Sequence, residues 1–116
     1  MLADLPILDS QALKALKDDV GAAIVVRLIT SLKAEIRASE KKMHEFCELH
    51  EMKSCENLAH GLKSAVRSFG ALKLGGVCAL IEENARTKKD KALFESQLIQ
   101  FKDIADDTIA ALENYM

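Results

Sequence analysis

Proline is nearly absent from this chain, with Pro6 the single example, so beyond the first few residues nothing strips a helix of a backbone donor. Strand signals are absent too. No run alternates apolar and polar residues long enough for a half-buried strand, which excludes a sheet and leaves a chain that reads as helical from end to end. An excess of one charge is also lacking: 16 Lys and Arg stand against 18 Asp and Glu, for a formal net charge of -2 and a pI near 5.9. The cations are interspersed with anions rather than blocked, so there is no electrostatic footprint for nucleic acid. The N-terminal MLADLPILDS has no basic region followed by a long apolar run, and neither a secretory signal nor a membrane span is expected. Cysteine is sparse, and three at irregular spacing fit reduced thiols in a cytoplasmic protein better than a disulfide framework. No G-x-x-x-x-G-K-[ST] loop or kinase signature occurs.

What the chain does have is apolar residues at helical spacing. Its 116 residues with 49% hydrophobic content suit a single domain over residues 1–116 that buries one core. Asp9 or Ser10 can cap a short first helix carrying Leu13, Leu16 and Val20, which Gly21 ends or bends. From about Ala22 to about Leu49, the residues Val25, Leu28, Ile29, Leu32, Ile36, Met43 and Phe46 or Cys47 keep the spacing of a rod roughly 40 Å long. The polar stretch from His50 to Ser54 turns the chain into a third helix, which Gly70 stops after Phe69. A fourth helix runs from about Ala71 to Arg86 with Leu74, Val77, Cys78, Ile81 and Ala85 inward, and Thr87 to Asp90 leads into a last helix that Asp90 caps. Phe94, Leu98, Phe101, Ala105, Thr108, Leu112 and Tyr115 form the seam of that helix. The expected fold is all-α, an antiparallel four-helix bundle with a short additional N-terminal helix over one end and no exposed apolar stripe left over. Gly75 and Gly76, each costing about 1 kcal/mol against Ala inside a helix, imply close helix approach.

The third helix carries the stretch AHGLKSAVRSFGA over residues 59–71. At roughly 100° per residue, Cys55, Leu58, Leu62, Ala65, Val66 and Phe69 fall within an arc of about 100° that faces the core. His60 lies roughly 170° from the centre of that arc, ringed by Lys63, Ser64 and Arg67 at the i+3, i+4 and i+7 spacings. A solvated imidazole thus sits among two cations and a hydroxyl, on a helix whose own face supplies no carboxylate to act as a base. The phase alone fits a solvated surface residue as well as a functional one.

A second constellation, His44, Cys47 and His50 with Cys55 beyond, contains ligand types that zinc accepts. Its geometry argues against a metal. His44 and His50 diverge by roughly 120° around the helix, while Cys47 and Cys55 continue apolar stripes. No metal site is expected, and Cys78 reads as core.

The motif His60-Gly61-Leu62-Lys63-Ser64, followed by Phe69-Gly70-Ala71 and then by Leu74, Cys78 and Ile81-Glu82, resembles the histidine-containing phosphotransfer (HPt) domain family. Its pattern is written H-x-L-K-G-[SA]-[SA]-x-x-[LF]-G-A with a later spaced L, C and L-E. Ser64 stands where many members carry Gly, and in this the chain is similar to the stand-alone phosphorelay proteins of vibrio-type quorum sensing. The resemblance implies that His60 accepts a phosphoryl group from a receiver-domain aspartate and passes it to another, without ATPase or autokinase activity. It implies that Lys63 places its ammonium on the phosphoryl oxygens, that Arg67 does so weakly or steers an acidic receiver, and that Gly61, Ser64 and Arg67 belong to the docking face. The partners implied are response-regulator receiver domains, including that of a hybrid sensor kinase, with Mg²⁺ on the receiver and no cofactor on this chain.

Two other classes remain beside it. A kinase dimerisation bundle also displays a histidine, but there an acidic residue usually follows it, where this chain has Gly61, and two chains share the helices. A non-phosphorylated helical adaptor would need a free apolar stripe. The first reading makes the protein a monomer.

Overall fold

Each reversal of the chain is made by a local backbone device. In the computed structural model, which describes residues 2–116, a 3₁₀ turn over Leu2–Asp4 precedes five α-helices: α1 (Ser10–Val20), α2 (Ala22–Glu48), α3 (Met52–Ser68), α4 (Leu72–Glu83) and α5 (Lys91–Glu113). The side chain of Asp9 caps α1 by accepting from the Gln11 amide at 3.0 Å, and Asp90 caps α5 by accepting from the Leu93 amide at 3.1 Å. His50 stands in the left-handed region at φ 54°. Its amide reaches the Cys47 carbonyl and that of Glu51 the Phe46 carbonyl, the paired bonds that terminate α2.

The same device ends α3. The Gly70 amide donates to Arg67 and that of Ala71 to Val66, both at 3.0 Å, with Gly70 at φ 79°. Glycine is required here for a second reason, because a Cβ would stand 2.6 Å from the Asp9 carbonyl oxygen. The Gly70 carbonyl in turn accepts the Asp9 amide at 2.7 Å, and the Lys73 amide donates to Pro6 at 3.0 Å. The N-terminal segment is thereby docked on the α3–α4 corner.

α2 to α5 form an up-down-up-down ring in which α5 returns to α2. Lys33 pairs with Glu113 at 3.4 Å and Arg37 with Asp106 at 2.7 Å, fixing α2 and α5 antiparallel. Phe94, Phe101, Ile29, Ile36, Met43, Leu74, Ile81 and Leu112 fill the shared core and are buried. Among the described residues no helix is long and apolar enough to cross a membrane.

Several expectations are corrected in detail. Leu28, expected inward, is 37% exposed, and Val20 and Tyr115 also face solvent. The region Leu49–Glu51 alone makes the turn after α2, since Lys53 and Ser54 are already in α3. α4 stops at Glu83, and Asn84–Lys88 form a π-helical turn instead of reaching Arg86 as regular helix. The cause is the buried Asn84 side chain. Its amide nitrogen donates to the Asp90 carbonyl at 3.0 Å and to Gln97 at 3.3 Å, while its oxygen accepts the Asp90 amide at 3.1 Å. These bonds satisfy an amide that burial would otherwise penalise, and they pull the backbone wide. Of the two glycines expected to let helices come close, Gly75 faces α3, where a Cβ would meet the Arg67 side chain, whereas a Cβ at Gly76 would meet Leu2 and Leu5 of the N-terminal segment rather than another long helix.

Candidate functional site

The groove between α3 and α4 lines up His60, Lys63 and Arg67 along the same edge of α3. Ala59 and Leu62 are buried on either side of His60 in sequence. Packing them against the core turns the imidazole out, with 63% of its side chain exposed. Leu74, Val77, Cys78 and Ile81 likewise fix the roll of α4, and that roll aims Glu82 into the groove.

Glu82 is the group that organises this surface. Its Oε2 lies 2.7 Å from His60 Nδ1, and its Oε1 accepts from Lys63 Nζ at 2.6 Å. The carboxylate side chain is 10% exposed and that of Lys63 21%, so the interaction is sheltered while the imidazole is not. The Lys63 bond, opposed by burial and assisted by His60, holds the Glu82 carboxyl below its ordinary value of 4.5. It is therefore ionised at neutral pH. An ionised carboxylate only accepts, so the proton of a neutral His60 sits on Nδ1, and Nε2 keeps its lone pair. Among the described residues Nε2 has no hydrogen-bond partner.

Read from the sequence, the His60 face has no carboxylate, and that reading missed two of them, Glu56 on α3 itself and Glu82 on α4. Glu56, one turn before His60 on α3, is occupied with Lys53 at 3.4 Å, while Glu82 arrives from α4. Its signal was present in the Ile81-Glu82 pair. Ile81 is core and Glu82 follows it, so the position opposite α3 could be read only once the pairing of the two helices was known.

Of the other residues singled out, Gly61, Ser64 and Arg67 are exposed. Ser64 lies one turn beyond His60, and a Cβ on Gly61 would meet nothing within 4 Å. Cys78 is core, its thiol pushed up to about 12 by burial. His44 and His50 are exposed while Cys47 and Cys55 are buried. No group of three or more His, Cys, Asp or Glu able to hold a metal occurs among the described residues.

A helical bundle that displays one carboxylate-oriented, solvent-facing imidazole beside a lysine is the architecture of a histidine phosphocarrier. The Hpt domain family matches residues 27–115, and the chain belongs to that family. The fold is similar to that of histidine-containing phosphotransfer protein B (HptB) from Pseudomonas aeruginosa PAO1, with a TM-score of 0.87 over 94% of this chain and 93% of that chain at 19% sequence identity. No curated protein matches. The protein is a histidine phosphotransfer intermediate of phosphorelays, a phosphocarrier that works with response-regulator receiver domains.

Proposed function

We propose that His60 is the phosphoacceptor and that Nε2 is the atom that takes the phosphoryl group. The observation that carries this is the contact of Nδ1 with Glu82 at 2.7 Å on an otherwise exposed ring. Nε2 attacks the phosphorus of a receiver aspartyl phosphate. The N–P bond forms as the acyl O–P bond breaks, and the bonding pair leaves with the receiver carboxylate. The proton on Nδ1 stays in place, so the ring becomes cationic and the Glu82 carboxylate balances its charge. No base is needed on this chain. Lys63 keeps Glu82 with one of its three N–H donors and has others for the phosphoryl oxygens. Magnesium belongs to the receiver in this scheme.

The surface around His60 is the docking face in this reading. Gly61 costs α3 about 1 kcal/mol against Ala, yet nothing in the fold competes for the space of a Cβ there. Smallness at Gly61 and Ser64 is accounted for by a partner that must come close. In this reading residues 1–116 form one domain that acts as a cytoplasmic monomer, without ATPase or autokinase activity, and one of its partners is the receiver of a hybrid sensor kinase.

The test is acid-labile labelling from a phosphorylated receiver. Wild type takes up phosphate and His60→Gln does not, while its melting curve stays within about 0.5 kcal/mol of wild type, as expected for an exposed position. Full labelling of His60→Gln would sink the assignment.

A further inference from the structure

Arg67 and Gly75 make a second relationship across the α3–α4 groove. The arginine lies so close over Gly75 that a Cβ there would stand 2.8 Å from Cγ, 3.0 Å from Nε and 3.3 Å from Cδ. Its side chain therefore rests on bare backbone inside α4, where glycine weakens the helix and serves no turn, since Gly75 is buried within Leu72–Glu83. A side chain laid down in this way has already lost much of its rotamer freedom. Its charge, however, is unanswered. Both oxygens of Glu82 are taken by His60 and Lys63, and Arg67 makes no ion pair among the described residues. Seven residues separate it from His60, about 10 Å along the helix, and it is seated over α4 rather than turned back along α3. Lys63 is the cation placed to serve a phosphoryl group on Nε2, and Arg67 is free for something else.

We propose that Gly75 is a seat for Arg67, and that the seated guanidinium pairs with a carboxylate on the rim of the docking receiver. This rests on the reading of the His60 surface as the docking face. A receiver hands over its phosphate from an aspartyl side chain, so an anionic site is what it brings to His60. Arg67 is the cation along this edge of α3 whose charge the fold leaves unspent. A planar guanidinium matches a carboxylate with two parallel donors, and seating it in advance reduces the ordering cost of the encounter.

The experiment measures transfer rates from a phosphorylated receiver at subsaturating concentration for wild type, Arg67→Ala, Gly75→Ala, the double variant and Ser64→Gln, across a salt series, with thermal melts to establish folding. Arg67→Ala and Gly75→Ala each slow transfer about three- to fivefold, the scale of an exposed ion pair. The double variant is no slower than either single one, and both singles show a shallower salt dependence than wild type. Labelling by phosphoramidate, which needs no docking surface, separates this loss from damage to His60. A slow Arg67→Ala with an unaffected Gly75→Ala, or additive losses in the double variant, overturns the seat. Wild-type rates in both singles beside a slow Ser64→Gln overturn the arginine contact and leave the docking face standing. Wild-type rates in all three remove the docking face itself.

Discussion

Glu82 on α4 holds His60 on α3 by Nδ1, at 2.7 Å, and this single contact leaves Nε2 as the nitrogen with the free lone pair. The phosphohistidine is expected to be the Nε2 isomer. Nitrogen and phosphorus NMR of the labelled protein distinguishes the two isomers, and a majority of the Nδ1 form would refute the role given to Glu82. Glu82→Ala removes the acceptor that selects the tautomer, so its labelling by phosphoramidate should slow by about 10- to 100-fold, on the scale known for losing the partner that orients an imidazole at a metal site. A wild-type rate would show that the exposed ring needs no orientation.

The same carboxylate makes stability depend on pH. Its folded-state value lies below 4.5, so the folded protein binds fewer protons at this site than the unfolded chain does. The contribution of the Glu82 pair is fully present above the unfolded value and is lost as pH falls through the folded one. Glu82→Gln should therefore melt below wild type near neutral pH, and the gap should close on acidification into the range under 4.5. Thermal melts of both proteins through that range check this. A constant gap would mean that the carboxylate charge contributes nothing.

Much of this was legible in the sequence because it depends on periodicity and caps. The inward phase of Cys55, Leu62 and Val66 dictates that His60 points out, whatever the neighbouring helix does. Asp9, Asp90 and Gly70 act locally, so their roles could be read from a few adjacent residues. Glu82, Asn84 and the Arg67–Gly75 contact could not be read that way. Each is defined by a partner on another stretch of chain, and its meaning depends on how far one helix slides and rolls against the next. The glycines of α4 show this well: the cost of Gly75 was visible, but the arginine that occupies the space was not.

A single chain is the state expected from the closed ring of α2 to α5. Ile24 and Leu28, one turn apart on α2, remain partly exposed at 40% and 37%, which corrects the expectation that no apolar surface is left over. Val20, Leu49, Leu80 and Ile99 are exposed too, on α1, after α2, on α4 and on α5, so the exposed apolar side chains are spread over several elements, where a specific interface takes roughly 800 Å² per partner in one face. Sedimentation at micromolar concentration should therefore give the mass of one chain. A dimer mass that does not change on dilution would place Ile24 and Leu28 in an interface and reopen the two-chain bundle.

Ser64 stands one turn beyond His60, where many members of the family carry glycine, and is exposed. In the proposed reaction an aspartyl phosphate must bring its phosphorus to within about 3 to 3.5 Å of Nε2 for in-line attack, which would put the side chain at position 64 under the receiver. Ser64→Gln adds bulk outside the core and does not lower helix propensity, and folding should survive. Transfer from a receiver should fall on the order of 10- to 100-fold, the cost of displacing a reacting pair by about 1 Å. Phosphoramidate is small enough to reach Nε2 past the longer side chain and should label Ser64→Gln as fast as wild type. Ser64→Gly should transfer at near wild-type rates and lose about 0.5 kcal/mol of stability to helix propensity. Rapid-quench transfer assays with one receiver and the three proteins decide the matter: an undiminished rate in Ser64→Gln means that this face is not where the receiver docks and that Ser64 has no part in the docking surface.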